Sequence, residues 1–134
     1  MKIVVCLDEE NGMLFNGRRQ SQDRALRADL LESVGDAPLW MNGYSARQFA
    51  DASDRLQVDD AFLQNAGSGV WCFVEEALPP EIWPAVESVT VYRWHRRYPA
   101  DVTFSFPDNA WSLQESRDFP GYSHERITKE VYAR

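Results

Sequence analysis

Apolar and polar positions along the chain switch repeatedly between two periods. The run Lys2-Ile3-Val4-Val5-Cys6-Leu7 is continuously apolar after its first residue and rich in β-branched side chains, the pattern of a strand buried on both faces. Asp8-Glu9-Glu10-Asn11-Gly12 breaks it, and a long loop through Asn16-Gly17 and Arg18-Arg19-Gln20 follows. From Ser21 or Gln22 onward the period changes. Leu26, Leu30, Leu31 and Val34 return at helical spacing, and Gly35 stands where a capping glycine ends a helix. Leu39-Trp40-Met41 predicts a short second strand, Asn42-Gly43 a turn, and Ser45 the N-cap of a helix reaching Phe49 and Ala50.

Residues 51–57 read as a polar loop and residues 58–66 as a further helix, closed by Gly67 and Gly69. Val70-Trp71-Cys72-Phe73-Val74 repeats the pattern of a fully buried strand, and Pro79, Pro80 and Pro84 leave room for no more than a helical turn. Residues 88–94 alternate as a strand, and residues 111–117 and 125–132 read as antiparallel strands around Asp118-Phe119-Pro120-Gly121. Strands alternating with helices and then a closing hairpin define an α/β domain. The sheet expected is open, mostly parallel and six-stranded, with helices on both faces and a C-terminal antiparallel strand pair. With the six strands numbered in chain order, their order across the sheet is 5-6-4-1-3-2, strand 6 alone running against the rest. Residues 1–134 form one domain, with no repeat, low-complexity tract or linker.

Composition narrows the setting. A chain of 134 residues buries a sufficient core without metals or cross-links, and its five Trp, five Tyr and seven Phe supply that core. Cys6 and Cys72 sit inside apolar runs on strands that this topology makes neighbours; both read as small buried fillers. The opening MKIVVCLDEE has too short an apolar stretch for a signal peptide, so the expectation is a cytoplasmic protein with reduced thiols. No apolar run approaches the roughly 20 residues of a membrane helix. A net charge of -7 opposes a broad nucleic-acid surface. His95 and His124, with no His-x-His or Cys-x-x-Cys spacing, offer no zinc site.

Several stretches resemble dihydrofolate reductases. The opening strand, its acidic turn, Asn11-Gly12-Met13 and the pair Phe15-Asn16 are similar to that family's first strand and mobile loop. Leu39-Trp40-Met41-Asn42-Gly43-Tyr44-Ser45 looks like its second strand and following turn, with Asn-Gly in place of Gly-Arg. Residues 89–94, Phe106-Pro107-Asp108 before Trp111, and Ile127-Thr128-Lys129-Glu130-Val131-Tyr132 are similar to its last three strands and their connection. By this resemblance Asp23 falls where the family keeps its single catalytic carboxylate. The departures concern the NADPH site. Residues 51–58 leave no room for the two strands that hold the adenosine end, Glu75 and Glu76 stand where glycines approach the pyrophosphate, and the arginine of the second-strand turn is absent. The resemblance therefore implies a shortened member with no cofactor.

Ligands of open parallel sheets sit beyond the carboxyl ends of the strands. That rule places Asp8, residues 42–45 with Tyr44 and Ser45, Glu75, and residues 94–96 beginning with Trp94 around one cleft, walled by Asp23, Arg18 and Arg19. Asp23 would orient an amidine-like edge of a heterocycle, or else serve only as an acid at a helix N-terminus. Arg18 and Arg19 would close over an anion, or else remain solvated. Arg93, His95, Arg96 and Arg97 with Trp94 and Tyr98 form a basic aromatic stretch able to stack a base, or else to balance an acidic protein. Without outer strands, Leu39–Met41 lies at an apolar edge, and a homodimer through that edge is expected. No residue set establishes a reaction. Three functions rank in order: a small heteroaromatic or anionic ligand bound in the former substrate cleft without NADPH chemistry, a minimal NADPH-dependent reductase, and a non-catalytic interaction protein.

Overall fold

The computed structural model describes all 134 residues. In chain order the strands are β1 (Lys2–Leu7), β2 (Gly12–Phe15), β3 (Arg18–Arg19), β4 (Leu39–Met41), β5 (Leu56–Val58), β6 (Trp71–Phe73), β7 (Ser88–Arg93), β8 (Val102–Thr103), β9 (Ser112–Phe119) and β10 (Ile127–Ala133). The α-helices are α1 (Arg24–Val34), α2 (Gly43–Ala46) and α3 (Phe62–Asn65), with 3-10 turns at Arg47–Arg55 and Pro80–Ala85. Strand β1 lies at the centre of the main sheet, whose order is β5-β4-β6-β1-β7-β10-β9. All neighbours pair in parallel except β10, which runs against β7 and β9.

The continuous apolar run of β1 explains its position. Ile3, Val5 and Leu7 point into one core with Phe62, Trp83 and Trp111, while Val4 points into the other with Leu26, Leu30 and Phe49. Only a central strand covered on both faces satisfies such a sequence. Helix α1 closes the second core through Leu26, Leu30 and Val34, the positions that its 3.6-residue period selects. Gly35, with φ 71°, turns the chain out of the helix and donates its N–H to the Leu31 carbonyl.

The six expected strands occur in the expected order, and a seventh lies outside them. Residues 51–58 do not form a plain loop: 3-10 turns lead into β5, which pairs Leu39↔Leu56, Trp40↔Gln57 and Met41↔Val58. The edge of β4 is therefore covered, and the homodimer expected through Leu39–Met41 loses its physical basis. The segment expected to lack room for two strands holds one. The helix read over residues 58–66 shrinks to the single turn of α3, since Asp59 and Asp60 hold the preceding bend: Asp59 caps the Ala61 N–H, and Asp60 accepts from Gly43. Asn42, not Ser45, caps α2, its side chain accepting the Ser45 N–H at 2.9 Å.

The long loop after β1 contains a small second sheet, β3-β2-β8. Asn16 (φ 52°) and Gly17 (φ 71°) make its two-residue hairpin turn, which requires left-handed backbone at both positions. Cys6 and Cys72 do not meet: Cys72 pairs with Ile3 and packs in the first core, whereas Cys6 lies against the second. Burial pushes the Cys72 thiol up to about 11. No helix is long and apolar enough to cross a membrane.

Leu30 is fully buried between α1 and the sheet. Leu30→Ala should cost about 2–5 kcal/mol through lost burial and a residual cavity. Urea unfolding should show a lower midpoint at unchanged slope.

Candidate functional site

The residues expected around one cleft fall into three separate arrangements. Asp8, at the end of β1, is 1% exposed and works inside the loop. Its Oδ1 accepts the N–H groups of Glu10 (2.8 Å) and Gly12 (2.7 Å), and its Oδ2 accepts from Gln20 Nε2 (3.0 Å) and the Tyr98 N–H (3.1 Å). Burial alone would raise its pKa, but these four donors outweigh it and hold the carboxyl below its usual range. Gly12 is required there, because a Cβ would come 2.7 Å from Asp8 Oδ2.

A second knot joins β3, α2 and the end of β6. Arg19 donates to both carboxylate oxygens of Glu75, at 2.9 and 3.2 Å, and its guanidinium lies 4.5 Å from the Tyr44 ring centre. Gln48 adds a donor to Glu75 at 3.0 Å, and the Tyr44 hydroxyl accepts the Arg19 backbone N–H. This bidentate pair neutralises Glu75, so only exposed Glu76 remains as the unpaired negative charge expected after that strand. Arg19, for its part, is not available as an anion clamp.

The third arrangement centres on Asp23. The residue is the N-cap of α1, accepting the Ala25 and Leu26 N–H groups at 2.8 and 3.3 Å. It also accepts three backbone N–H groups from the loop between β9 and β10: Tyr122 (3.0 Å), Ser123 (2.9 Å) and His124 (3.2 Å). His124 Nδ1 lies 2.9 Å from Asp23 Oδ2. Burial opposes the charge, yet the donors, chiefly Tyr122 and His124, hold the carboxyl far below the ordinary carboxylate range. An ionised carboxylate can only accept, so Nδ1 carries a proton, and in the neutral ring Nε2 is the acceptor. Ser21 Oγ stands 2.9 Å and the Tyr98 hydroxyl 3.2 Å from Nε2. Trp94 stacks on the imidazole, with ring centres 4.4 Å apart. Gly121 permits this closure, since a Cβ would strike the His124 carbonyl oxygen and lie 2.9 Å from Asp23 Oδ2.

The cleft expected between these groups is closed. The cavity touching Ser21, Glu75 and Trp94 measures about 10 Å³, room for one water at most. Ser45 is 1% exposed, and its hydroxyl has no partner. Open space lies farther out. A cleft of about 500 Å³ is bounded by Phe15, Asn16, Arg18, Arg19, Gln20, Tyr98 and Pro99. A neighbouring one of about 410 Å³ includes Asp8, Arg97 and Tyr98. Within the basic aromatic stretch Arg93 pairs with Glu130, Arg97 with Glu10, and Trp94 stacks against His124, while Tyr98 lines an open cleft. No three His, Cys, Asp or Glu side chains converge as metal ligands.

Sequence reasoning found Asp23 but missed Ser21, Tyr98 and His124 as its companions. Ser21 stood out only as a helix opener, and His124 only as a histidine without metal spacing. The Asp-His link spans 101 positions, so no local pattern announces it.

An open sheet with crossovers on both faces and a reversed penultimate position in the order β7-β10-β9 places the chain among dihydrofolate reductase-like α/β folds. It is similar to the solved dihydrofolate reductase of Enterococcus faecalis in complex with NADP(H) and RAB-propyl, with a TM-score of 0.67 and 13% identity over 99% of this chain and 95% of that one. No family model matches the sequence, and no curated protein matches it. The likeness is one of fold.

Asp23 binds fewer protons in the folded than in the unfolded chain, because its folded pKa is depressed. Its contribution is fully present above the unfolded value of about 4 and is lost as pH falls through the folded one. Asp23→Asn should therefore lose about 3–5 kcal/mol at pH 7. On acidification below pH ~4 the variant should lose less further stability than the wild type. Urea titrations of both proteins at neutral and acidic pH measure the difference.

Proposed function

We propose that this chain binds a small, flat, anionic ligand on a dihydrofolate reductase-like fold and carries out no nicotinamide-dependent reduction. The observation that carries this reading is the state of Asp23. Its oxygens accept from Ala25, Leu26, Tyr122, Ser123 and His124, which leaves no direction for the edge of a heterocycle. The space beside it holds at most one water, so the ligand belongs in the outer part of the former cleft.

The cleft of about 500 Å³ has the composition such a ligand needs. Phe15, 44% exposed, and Tyr98 offer aromatic faces, and Arg18 stands exposed at the rim outside every ion pair of the chain. An unpaired guanidinium recognises carboxylate or phosphate by two parallel hydrogen bonds. Against NADPH stand the filled interior and the exposed Glu76.

Calorimetry with NADPH and with a pterin carboxylate tests both halves. NADPH should give no saturable heat. The carboxylate should bind, and Arg18→Ala should weaken it about tenfold or more, the loss of a charged hydrogen bond. Micromolar NADPH binding, or unchanged affinity in Arg18→Ala, would overturn the reading.

A further inference from the structure

We propose that Ser21, His124 and Asp23 form a nucleophile-base-orienter relay, and that the chain hydrolyses small carboxylic esters at Ser21. The geometry is that of an activated serine: Ser21 Oγ to His124 Nε2 is 2.9 Å, and His124 Nδ1 to Asp23 Oδ2 is 2.9 Å. The tautomer follows from the surroundings. Asp23 is an acceptor fixed by backbone N–H groups from two elements, so Nδ1 donates to it, and in the neutral ring, the form a general base requires, Nε2 accepts. The only proton that Ser21 can contribute to the contact is therefore its own hydroxyl proton.

Burial divides the three residues as the chemistry requires. Asp23 is 2% and His124 6% exposed, held under Trp94, whereas Ser21 remains partly open to solvent. Tyr98 connects the relay to open space. Its hydroxyl reaches the same Nε2 at 3.2 Å, and its ring lines the cleft of about 500 Å³ together with Gln20, the neighbour of Ser21. The backbone N–H groups of Ser21 and Gln22 make no hydrogen bond inside the chain and lie just ahead of the positive end of α1.

The reaction needs only water. Ser21 Oγ bonds to the ester carbonyl carbon while its proton passes to His124 Nε2, giving an imidazolium held by Asp23. The bond from carbon to the alcohol oxygen then breaks, and that oxygen leaves with the proton from Nε2. Water attacks the acyl-serine, returns a proton through Nε2, and releases the carboxylic acid with Ser21 restored. Asp23 is a positioning residue throughout; Ser21 and His124 touch the reacting atoms.

The test uses neutral probes, so that it is read separately from the Arg18 site. The intact protein is treated with an alkyl phosphonofluoridate, analysed by peptide mass mapping, and assayed with p-nitrophenyl acetate. The expected result is one phosphonyl adduct on Ser21 and a burst of nitrophenol matching the protein concentration. Ser21→Ala, a partly exposed position whose loss leaves the core intact, should remove adduct and burst. His124→Gln, shown folded by circular dichroism, should slow labelling at least about 100-fold, the range of general-base assistance. Absence of an adduct on Ser21 in the folded wild type would overturn the proposal. So would hydrolysis unchanged in Ser21→Ala, or labelling unchanged in folded His124→Gln.

Discussion

The carboxylate of Asp23 is the point on which the junction of α1 with the β9–β10 loop depends. It caps the helix that closes one core, and it gathers the backbone N–H groups of the loop between β9 and β10. A helix start and a strand connection from opposite ends of the chain are thus fixed by one buried charge. Such a charge is tolerable in the interior only because donors surround it. Removing any large share of them would leave either an unsatisfied carboxylate or several orphan amides. The constraint also decides what the carboxylate cannot do: with its lone pairs committed inside the chain, it orients an imidazole instead of a ligand.

The Arg19–Glu75 pair shows the same conversion of open site into internal structure. Read as a sequence, an arginine loop and a pair of glutamates suggest an anion clamp facing a repulsive wall. Folded, one member of each group cancels the other in a bidentate pair buttressed by Tyr44 and Gln48. The charge that sequence reasoning placed against phosphates is half neutralised, and the space beside Glu75 is filled by side chains. What remains unsatisfied is displaced outward, to Arg18 and Glu76.

How much of this was legible follows from the range over which each pattern acts. The strand order could be read because 2–7 and 70–74 are continuous apolar runs, which only central parallel strands accommodate. Helix α1 could be read because its apolar period and its capping glycine are local. Leu56-Gln57-Val58 was missed because three residues amid aspartates carry no periodicity, and β5 exists only through the partner strand β4. The β2–β3 hairpin did announce itself through Asn16-Gly17, a two-residue turn signal subsumed in a loop. Asp23 was visible as an acid at a helix start. His124 was not, because its role is conferred by Trp94, Tyr98 and Asp23, none of them near it in sequence.

Filling the interior of a cleft changes which of its groups can do chemistry. A deep carboxylate surrounded by open volume acts directly on a bound ring. The same carboxylate under an imidazole orients the ring, and Nε2 is the atom that meets the neighbouring hydroxyls. In this chain two hydroxyls meet Nε2, those of Ser21 and Tyr98, and Tyr98 also lines the cleft of about 500 Å³. The fold supplies the rigid frame for this shift: α1 and the β9–β10 loop hold Asp23 and His124 against each other, and β1 and β7 hold Trp94 behind them. The open volume beyond the carboxyl ends of the strands therefore lies farther out, beside Gln20 and Tyr98, and not beside Asp23.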